Sequence, residues 1–351
     1  MITDLRLQHF RSYNDASFEI DPGVNIIVGP NASGKTNLLE GVLVVAHGSS
    51  YRAKDGELVQ FSADWARLDA DTLAGKRTVK LQRDGPDKFK KTYIIDDQER
   101  TRLSLHRMLP VVVFEPNHLL LLTGSPELRR NFLDDLIEQT VPGYASTRRH
   151  YKRVLAQRNA LLKRNPRDLR DQLFVWNLRL SELGGQLVRE RSALVARFAE
   201  RIGELYNAIA NTQQAVGATY TTEFSAIAYE TALLHKLEAS LEHDILRGFT
   251  AHGPHRDDLL VTLSEHPAAV SASRGEARTL VLALKVLELQ LLEELSATRP
   301  LFLLDDVFSE LDNRRRQALT RFVAEYQSFI TTTDADVIIH NFTSSNIIAF
   351  P

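Results

Sequence analysis

The residues Gly29-Pro30-Asn31-Ala32-Ser33-Gly34-Lys35-Thr36 fit the pattern G-x-x-x-x-G-K-S/T in full. Each residue type has a task in that pattern. Glycines let a loop fold so tightly that its backbone N–H groups surround a phosphate group. A lysine at the seventh position reaches the outer phosphates of a nucleoside triphosphate. The hydroxyl after it binds Mg²⁺. A second constellation lies far along the chain. Leu301-Phe302-Leu303-Leu304 is an apolar run ending in two acids, Asp305-Asp306. A buried strand that ends in carboxylates delivers them to the edge of a sheet, where an open α/β fold binds its ligand. Asp305 is then placed to hold Mg²⁺, directly or through water. Asp306 is placed to face the terminal phosphate and polarise water.

Those side chains need particular elements beneath them. Val24 to Val28 is a short continuous apolar run, as in a strand covered on both faces. It leads into the loop, and the segment from Thr36 reads as a helix ending near Gly48. Residues 66–100 read as antiparallel strands broken by an RDGPD turn, and residues 109–114 as another buried strand. The texture changes near residue 126. Leu173, Trp176, Leu180, Leu183, Leu187, Leu194, Phe198, Ile202, Leu205 and Ile209 fall at spacings of three, four or seven, with no proline from Asp168 to Asn211. That predicts one long helix of roughly 60 Å if unbroken, with Gly184-Gly185 as a possible kink. After about residue 250 the mixed texture returns, with a strand at LVTL, a helix over 276–295 and strands at LFLLDD and SFITT. The expected organisation is an α/β head made of residues 1–124 and 251–351, interrupted over 125–250 by a mostly helical arm resembling a short coiled coil.

Ser273-Arg274-Gly275-Glu276 stands at the start of a predicted helix, about thirty residues before Asp305. Its order and spacing resemble the signature of ABC ATPases, and Ser309-Glu310-Leu311-Asp312 resembles their D-loop. Taken alone, Ser273 is equally an ordinary serine helix cap. The whole chain is similar to the bacterial RecF recombination-repair family. The likeness runs through Leu7-x-x-Phe10-Arg11-Ser12-Tyr13, Thr36-Asn37-Leu38-Leu39-Glu40, Ser50-Tyr51-Arg52, Gly124-x-Pro126-x-x-Arg129-Arg130, Gln157-Arg158-Asn159, His252-Gly253-Pro254-His255-Arg256-Asp257-Asp258 and LLDDVFSELD. The resemblance implies an ABC-type P-loop ATPase head like those of SMC and Rad50 proteins. It implies ATP and Mg²⁺ as ligands, with a nucleotide site of Gly29 to Asn37 together with Arg11. It implies Lys35 and Asp306 in slow, DNA-stimulated hydrolysis, and Thr36 and Asp305 on the metal. Ser273, Gly275 and Glu276 would serve the site of a second copy in an ATP-dependent homodimer. The implied partners are double-stranded and gapped DNA, RecR, RecO and the RecA recombinase. Three positions depart from the pattern. Glu276 stands where many relatives carry Gln, Asp306 stands where ABC proteins usually carry Glu although an Asp-Asp pair is familiar in this family, and no histidine follows the last strand. Thr333 or Asp334 is left to sense the terminal phosphate, and Glu115 is the one candidate for a Q-loop residue.

Residues 147–170 hold nine Lys/Arg and one acid, Asp168. Arg148, Arg149, Lys152 and Arg153 recur at one helical turn and form a candidate DNA contact, with Arg129-Arg130 as a second. A charge run can equally be a solvated helix face. The formal net charge of −2 requires any DNA surface to be local. The chain has no cysteine, which excludes disulfides and thiolate metal sites. Neither a signal peptide nor an apolar stretch of membrane-spanning length is evident, so a cytosolic protein is expected. The competing readings are a transporter's nucleotide-binding subunit, a small-molecule P-loop kinase and a long-armed SMC-like clamp. The last needs far more heptads than this chain contains.

Overall fold

The structure is a computed structural model and describes residues 1–86, 88–334, 342 and 344–351. The chain separates into two compact units. One comprises Met1–Leu119 with Glu288–Pro351, the other Leu120–Leu287.

The first unit opens with β1 (Ile2–Phe10) and β2 (Tyr13–Glu19), paired antiparallel. Ile2, Leu5, Leu7 and Phe10 of β1 are buried, while polar residues between them face outward. β3 (Val24–Val28) is apolar almost throughout and buried almost throughout. After the loop comes α1 (Lys35–His47), which stops at Gly48 in a left-handed conformation, φ 78°. A short α2 (Asp55–Leu58) precedes the ladder β4 (Trp65–Thr72), β5 (Gly75–Arg83), β6 (Phe89–Ile95) and β7 (Gln98–Arg100). These strands form an antiparallel sheet in the order β2-β1-β4-β5-β6-β7. β8 (Val111–Phe114) belongs to the other sheet.

The second unit holds α3 (Pro126–Glu138), α4 (Tyr144–Arg164), α5 (Leu169–Ala210), β9 (Val216–Thr221), α6 (Tyr229–Ala239), α7 (Leu241–Arg247), β10 (Asp258–Leu263), β11 (His266–Pro267) and α8 (Ala268–Ser271). α9 (Arg274–Ser296) carries the chain across the boundary to β12 (Leu301–Asp305), α10 (Asn313–Val323), β13 (Ser328–Thr332) and β14 (Asn346–Ala349) of the first unit. The second sheet of that unit is parallel, in the order β14-β3-β13-β12-β8. α1 packs on strands of both sheets and is apolar on nearly every side, as a helix between two layers must be.

The predicted long helix is α5, continuous over 42 residues. The helix runs through its glycine pair without a break. An added Cβ at Gly185 would run into the Glu230 carboxylate, and one at Gly184 would lie 3.2 Å from Leu233. The glycines therefore let α6 approach closely. The leucine stripe is buried as expected, except that Trp176 and Leu205 are half-buried and Tyr206 is buried near the helix end. The second unit also reaches further than the arm expected over 125–250. Residues 251–287 belong to it because β10 pairs with β9, from Asp258↔Thr221 to Leu263↔Val216.

Candidate nucleotide site

β3 delivers Gly29 to the edge of the parallel sheet, and α1 starts at Lys35. The loop between them turns through two left-handed residues, Ala32 at φ 66° and Gly34 at φ 106°. Gly34 is needed there for a second reason: a Cβ would sit 3.1 Å from both Ser12 Oγ and the Tyr13 hydroxyl. That hydroxyl donates to the Gly34 carbonyl at 2.9 Å, tying the β1–β2 hairpin to the loop. At Gly29 a Cβ would lie 2.7 Å from Ser33 Oγ. Lys35 is 8% exposed, and its ammonium donates to the carbonyls of Gly29 at 2.6 Å and Pro30 at 2.7 Å. Two neutral acceptors hold a full cation there, so an anionic phosphate would be a stronger partner.

Across the sheet, β13 lies between β3 and β12, so the loop and the two acids flank one strand. Thr36 Oγ1 lies 2.9 and 3.1 Å from the two oxygens of Asp305. Asp305 also accepts from Thr331 Oγ1 at 2.8 Å and has Arg52 at 3.4 Å. Asp306 turns left-handed at φ 53°, and its N–H donates to the Thr331 hydroxyl at 2.8 Å. Burial pushes the Asp306 carboxyl up, and the nearby charges of Asp305 and Glu310 push the same way against Ser309 and Lys35. A cavity of about 180 Å³ opens among Asn31, Gly34, Lys35, Thr36, Asp305 and Asp306. Asp306 Oδ1 and Ser33 Oγ are buried without a hydrogen-bond partner among the described residues.

These features fit a phosphate and a hard cation. The donors next to each other, a hydroxyl and a carboxylate, are oxygens only, and Mg²⁺ takes one or two protein oxygens beside those of its phosphates and water. The two orphaned oxygens give a bound ligand or water further partners.

Other expected site residues are placed differently. Arg11 grips Glu40 of α1 through two bonds, 2.7 and 2.9 Å, instead of pointing into the cavity. Asn37 donates to Ser12 at 2.9 Å and lines both the cavity and a neighbouring hollow that contains Arg11. Thr333 is exposed, and the Asp334 N–H bonds back to Thr332 at 3.1 Å. Thr331, which sequence reasoning passed over, is the strand residue that meets the acids. Arg52 was legible only as part of Ser50-Tyr51-Arg52, with no role attached. Ser273 and Glu276 form a capping box: the Ser273 N–H donates to Glu276 at 2.9 Å, and the Glu276 N–H to Ser273 Oγ at 3.3 Å. Hydrogen bonding from the Ser273 side chain first, and from its backbone N–H second, holds the Glu276 carboxyl below its usual range. The Gly275 carbonyl accepts from Thr279 at 3.0 Å.

Three arginines expected at DNA are engaged within the second unit. Arg148 forms ion pairs with Asp134, Asp135 and Glu138 and is 13% exposed. Arg129 is bidentate on Asp258 at 2.7 and 2.8 Å and caps the carbonyls of Leu121, Leu122 and Gly124. Both are structural cations. Arg130 is half-buried and donates to the Asp257 carbonyl at 2.6 Å. Arg149, Lys152 and Arg153 are exposed and, among the described residues, have no ion-pair partner.

The chain matches the RecF/RecN/SMC N-terminal domain family over residues 1–348. It is 34% identical over 348 residues to the DNA replication and repair protein RecF of Streptococcus uberis, covering 97% of this chain and 94% of that protein. It is 35% identical over 352 residues to the protein of the same description from Acidothermus cellulolyticus, covering 95% and 94%. A solved structure of the recombination mediator protein RecF-ATPrS in the RecFOR pathway superposes with a TM-score of 0.86 at 27% identity, covering 96% of this chain and 94% of that one. An Smc head at 14% identity and a TM-score of 0.53 shares the fold.

Proposed function

We infer the function from one premise: the chain belongs to the RecF family. It is an ATP-operated switch protein that acts on DNA in replication and repair. The observation that supports this best is the juxtaposition of Lys35, Thr36, Asp305 and Asp306 around one cavity at the sheet edge. The loop N–H groups and Lys35 bind the phosphates, and Lys35 gives up its two carbonyls to do so. Thr36 and Asp305 would hold Mg²⁺, which supplies positive charge against the phosphate oxygens. Asp306 accepts a hydrogen bond from the attacking water and draws off its proton as the water oxygen bonds the terminal phosphorus and that phosphorus loses its bond to the bridging oxygen, which leaves on ADP, giving ADP and phosphate. Its raised affinity for protons suits that role.

Ser273, Gly275 and Glu276 complete the site of a second copy, so ATP closes a symmetric dimer. The exposed Arg149, Lys152 and Arg153 of α4 contact the phosphates of double-stranded or gapped DNA, and the half-buried Arg130 of α3 is a further candidate. DNA stimulates hydrolysis, and the dimer works with RecR, RecO and a RecA-like recombinase. A transporter subunit is disfavoured by full-length likeness to RecF proteins. In addition, no helix of the described residues is long and apolar enough to cross a membrane.

Light scattering with and without ATP and duplex DNA tests this reading. The wild type shifts from monomer to dimer with ATP. Lys35→Met, which removes the cation at the phosphates, stays folded and monomeric without tight ATP binding. Wild-type ATP affinity in a folded Lys35→Met protein would refute the site, and an ATP-bound wild type that stays monomeric would refute the switch.

A further inference from the structure

We propose that Thr331 is a positioning residue that sets both carboxylates of the nucleotide site through a single hydroxyl. The proposal rests on the reading of Asp305 and Asp306 given above. Thr331 lies on β13, opposite Asp305 in the β12–β13 register, and is 1% exposed. Its Oγ1 lies 2.8 Å from Asp305 Oδ1 and 2.8 Å from the Asp306 nitrogen. The hydroxyl has one proton. It has two candidate acceptors, the Asp305 carboxylate at 2.8 Å and the Leu304 carbonyl at 3.5 Å. The shorter bond to an ionised acceptor wins. The lone pairs of the same oxygen accept from the Asp306 N–H, so donation and acceptance are both used.

Each bond has a separate consequence. The first fixes Asp305 Oδ1, the oxygen that Thr36 Oγ1 also meets at 2.9 Å. Two hydroxyls thereby hold the carboxylate and restrict its rotation. The second holds the backbone of Asp306 where the strand ends. Asp306 sits at φ 53°, a conformation that L residues other than glycine adopt rarely. The Thr331 oxygen satisfies the N–H that this turn would otherwise leave without a strand partner. The turn brings Asp306 to the wall of the cavity instead of letting it continue the strand. A valine has the shape of threonine and neither bond. A serine has both bonds and lacks the methyl.

The experiment compares Thr331→Val, Thr331→Ser and Asp305→Asn in the full chain. The readouts are ATP affinity across a Mg²⁺ titration, steady-state hydrolysis and thermal unfolding. Support for an oriented ligand of this kind is commonly worth about 10- to 100-fold in metal affinity or activity. Thr331→Val therefore needs about 10-fold more Mg²⁺ to reach its tightest ATP binding and loses about 10-fold or more in kcat. Its ATP affinity without Mg²⁺ stays near wild type. Thr331→Ser keeps both properties within a few-fold. A Thr331→Val protein with unchanged Mg²⁺ dependence and kcat overturns the proposal. So does a folded Thr331→Ser protein with the full valine defect, since packing and not the hydroxyl would then be responsible. If the valine variant does not fold, Thr331→Ala takes its place: it shows the same Mg²⁺ and kcat defects, and a folded alanine variant that titrates with Mg²⁺ as the wild type does overturns the proposal. Where Asp305→Asn loses Mg²⁺ dependence and Thr331→Val titrates with Mg²⁺ as the wild type does, Thr331 alone has been misassigned. Where Asp305→Asn itself keeps it, the metal site falls as well.

Discussion

Asp257, buried, and His255, half-buried, stand two residues apart, and burial shifts them in opposite directions. Burial pushes Asp257 up to about 6, although it accepts a 2.8 Å hydrogen bond from Tyr220. Burial pushes His255 down to about 4, with its ring bonded to the Tyr151 hydroxyl at 2.7 Å and the Thr250 carbonyl at 3.1 Å. The signs are opposite. Between Asp257's ordinary 3.8 and about 6, the folded chain keeps a proton that the unfolded chain has released. That group favours folding at the acid end and loses its contribution as pH rises through 6. Between about 4 and the ordinary 6.5 of His255, the unfolded chain takes a proton that the folded chain refuses. That group penalises folding as pH falls. The two trends offset over pH 4–6 in the wild type. Asp257→Asn removes only the first. Its stability should fall between pH 6.5 and 4.5 by roughly 2 kcal/mol more than that of the wild type. Urea midpoints at three pH values measure this, and parallel pH profiles for the two proteins would contradict it.

At the scale of elements, what could be read in advance was local. The phosphate loop and Asp305-Asp306 are contiguous motifs set on strands whose apolar runs are unmistakable, and the α5 stripe repeats over many turns. What could not be read depends on pairing across the chain. Thr331 meets Asp305 only because β13 lies beside β12. Residues 251–287 join the second unit through long-range contacts such as the pairing of β10 with β9 and the Arg129–Asp258 ion pair, and Arg148 turns inward where α3 presents Asp134, Asp135 and Glu138 to it. The start of α9 carries both readings that the sequence allowed. Ser273 is a helix cap in the free chain, and the proposed role in a partner's site would draw on the same hydroxyl and N–H groups. Two substitutions separate these. Ser273→Ala and Ser273→Arg both lose the cap, at about 1 kcal/mol of stability. Only arginine adds bulk and charge at the helix start. Ser273→Arg should bind ATP as the wild type does and remain monomeric in light scattering, while Ser273→Ala dimerises weakly with ATP. An ATP-dependent dimer of normal stability in Ser273→Arg would remove the signature assignment and leave the cap alone.

At the scale of the whole molecule, charge is almost balanced, with 43 Lys and Arg against 45 Asp and Glu, yet it is unevenly distributed. α4 has seven Lys and Arg and no acid between Tyr144 and Arg164. Two of the seven are consumed internally. Arg148 meets three acids, and Arg158, fully buried, meets Asp244 at 2.7 Å, Thr250 at 2.7 Å and Asn177 at 2.8 Å. The remaining five, Arg149, Lys152, Arg153, Lys163 and Arg164, are exposed. From Arg149 to Arg164 they extend along about 22 Å of helix, enough to meet several phosphates of a duplex. A solvated face would have the same appearance, and salt dependence tells the two apart. A cation that binds a phosphate releases counterions, so removing one such cation lowers the slope of log affinity against log salt by about 0.9 on duplex DNA. Changing Arg149, Lys152 and Arg153 together to Gln should weaken duplex binding and flatten that slope by about 2 to 3. Arg148→Gln has a different expected signature. It leaves acids without their cation, so unfolding shifts to lower denaturant while the DNA salt slope stays that of the wild type. Affinity at several salt concentrations, measured beside a denaturant titration, reads both effects. A triple variant with an unchanged slope would move the DNA-binding surface off α4, and a slope change in Arg148→Gln without loss of stability would return that arginine to the DNA surface.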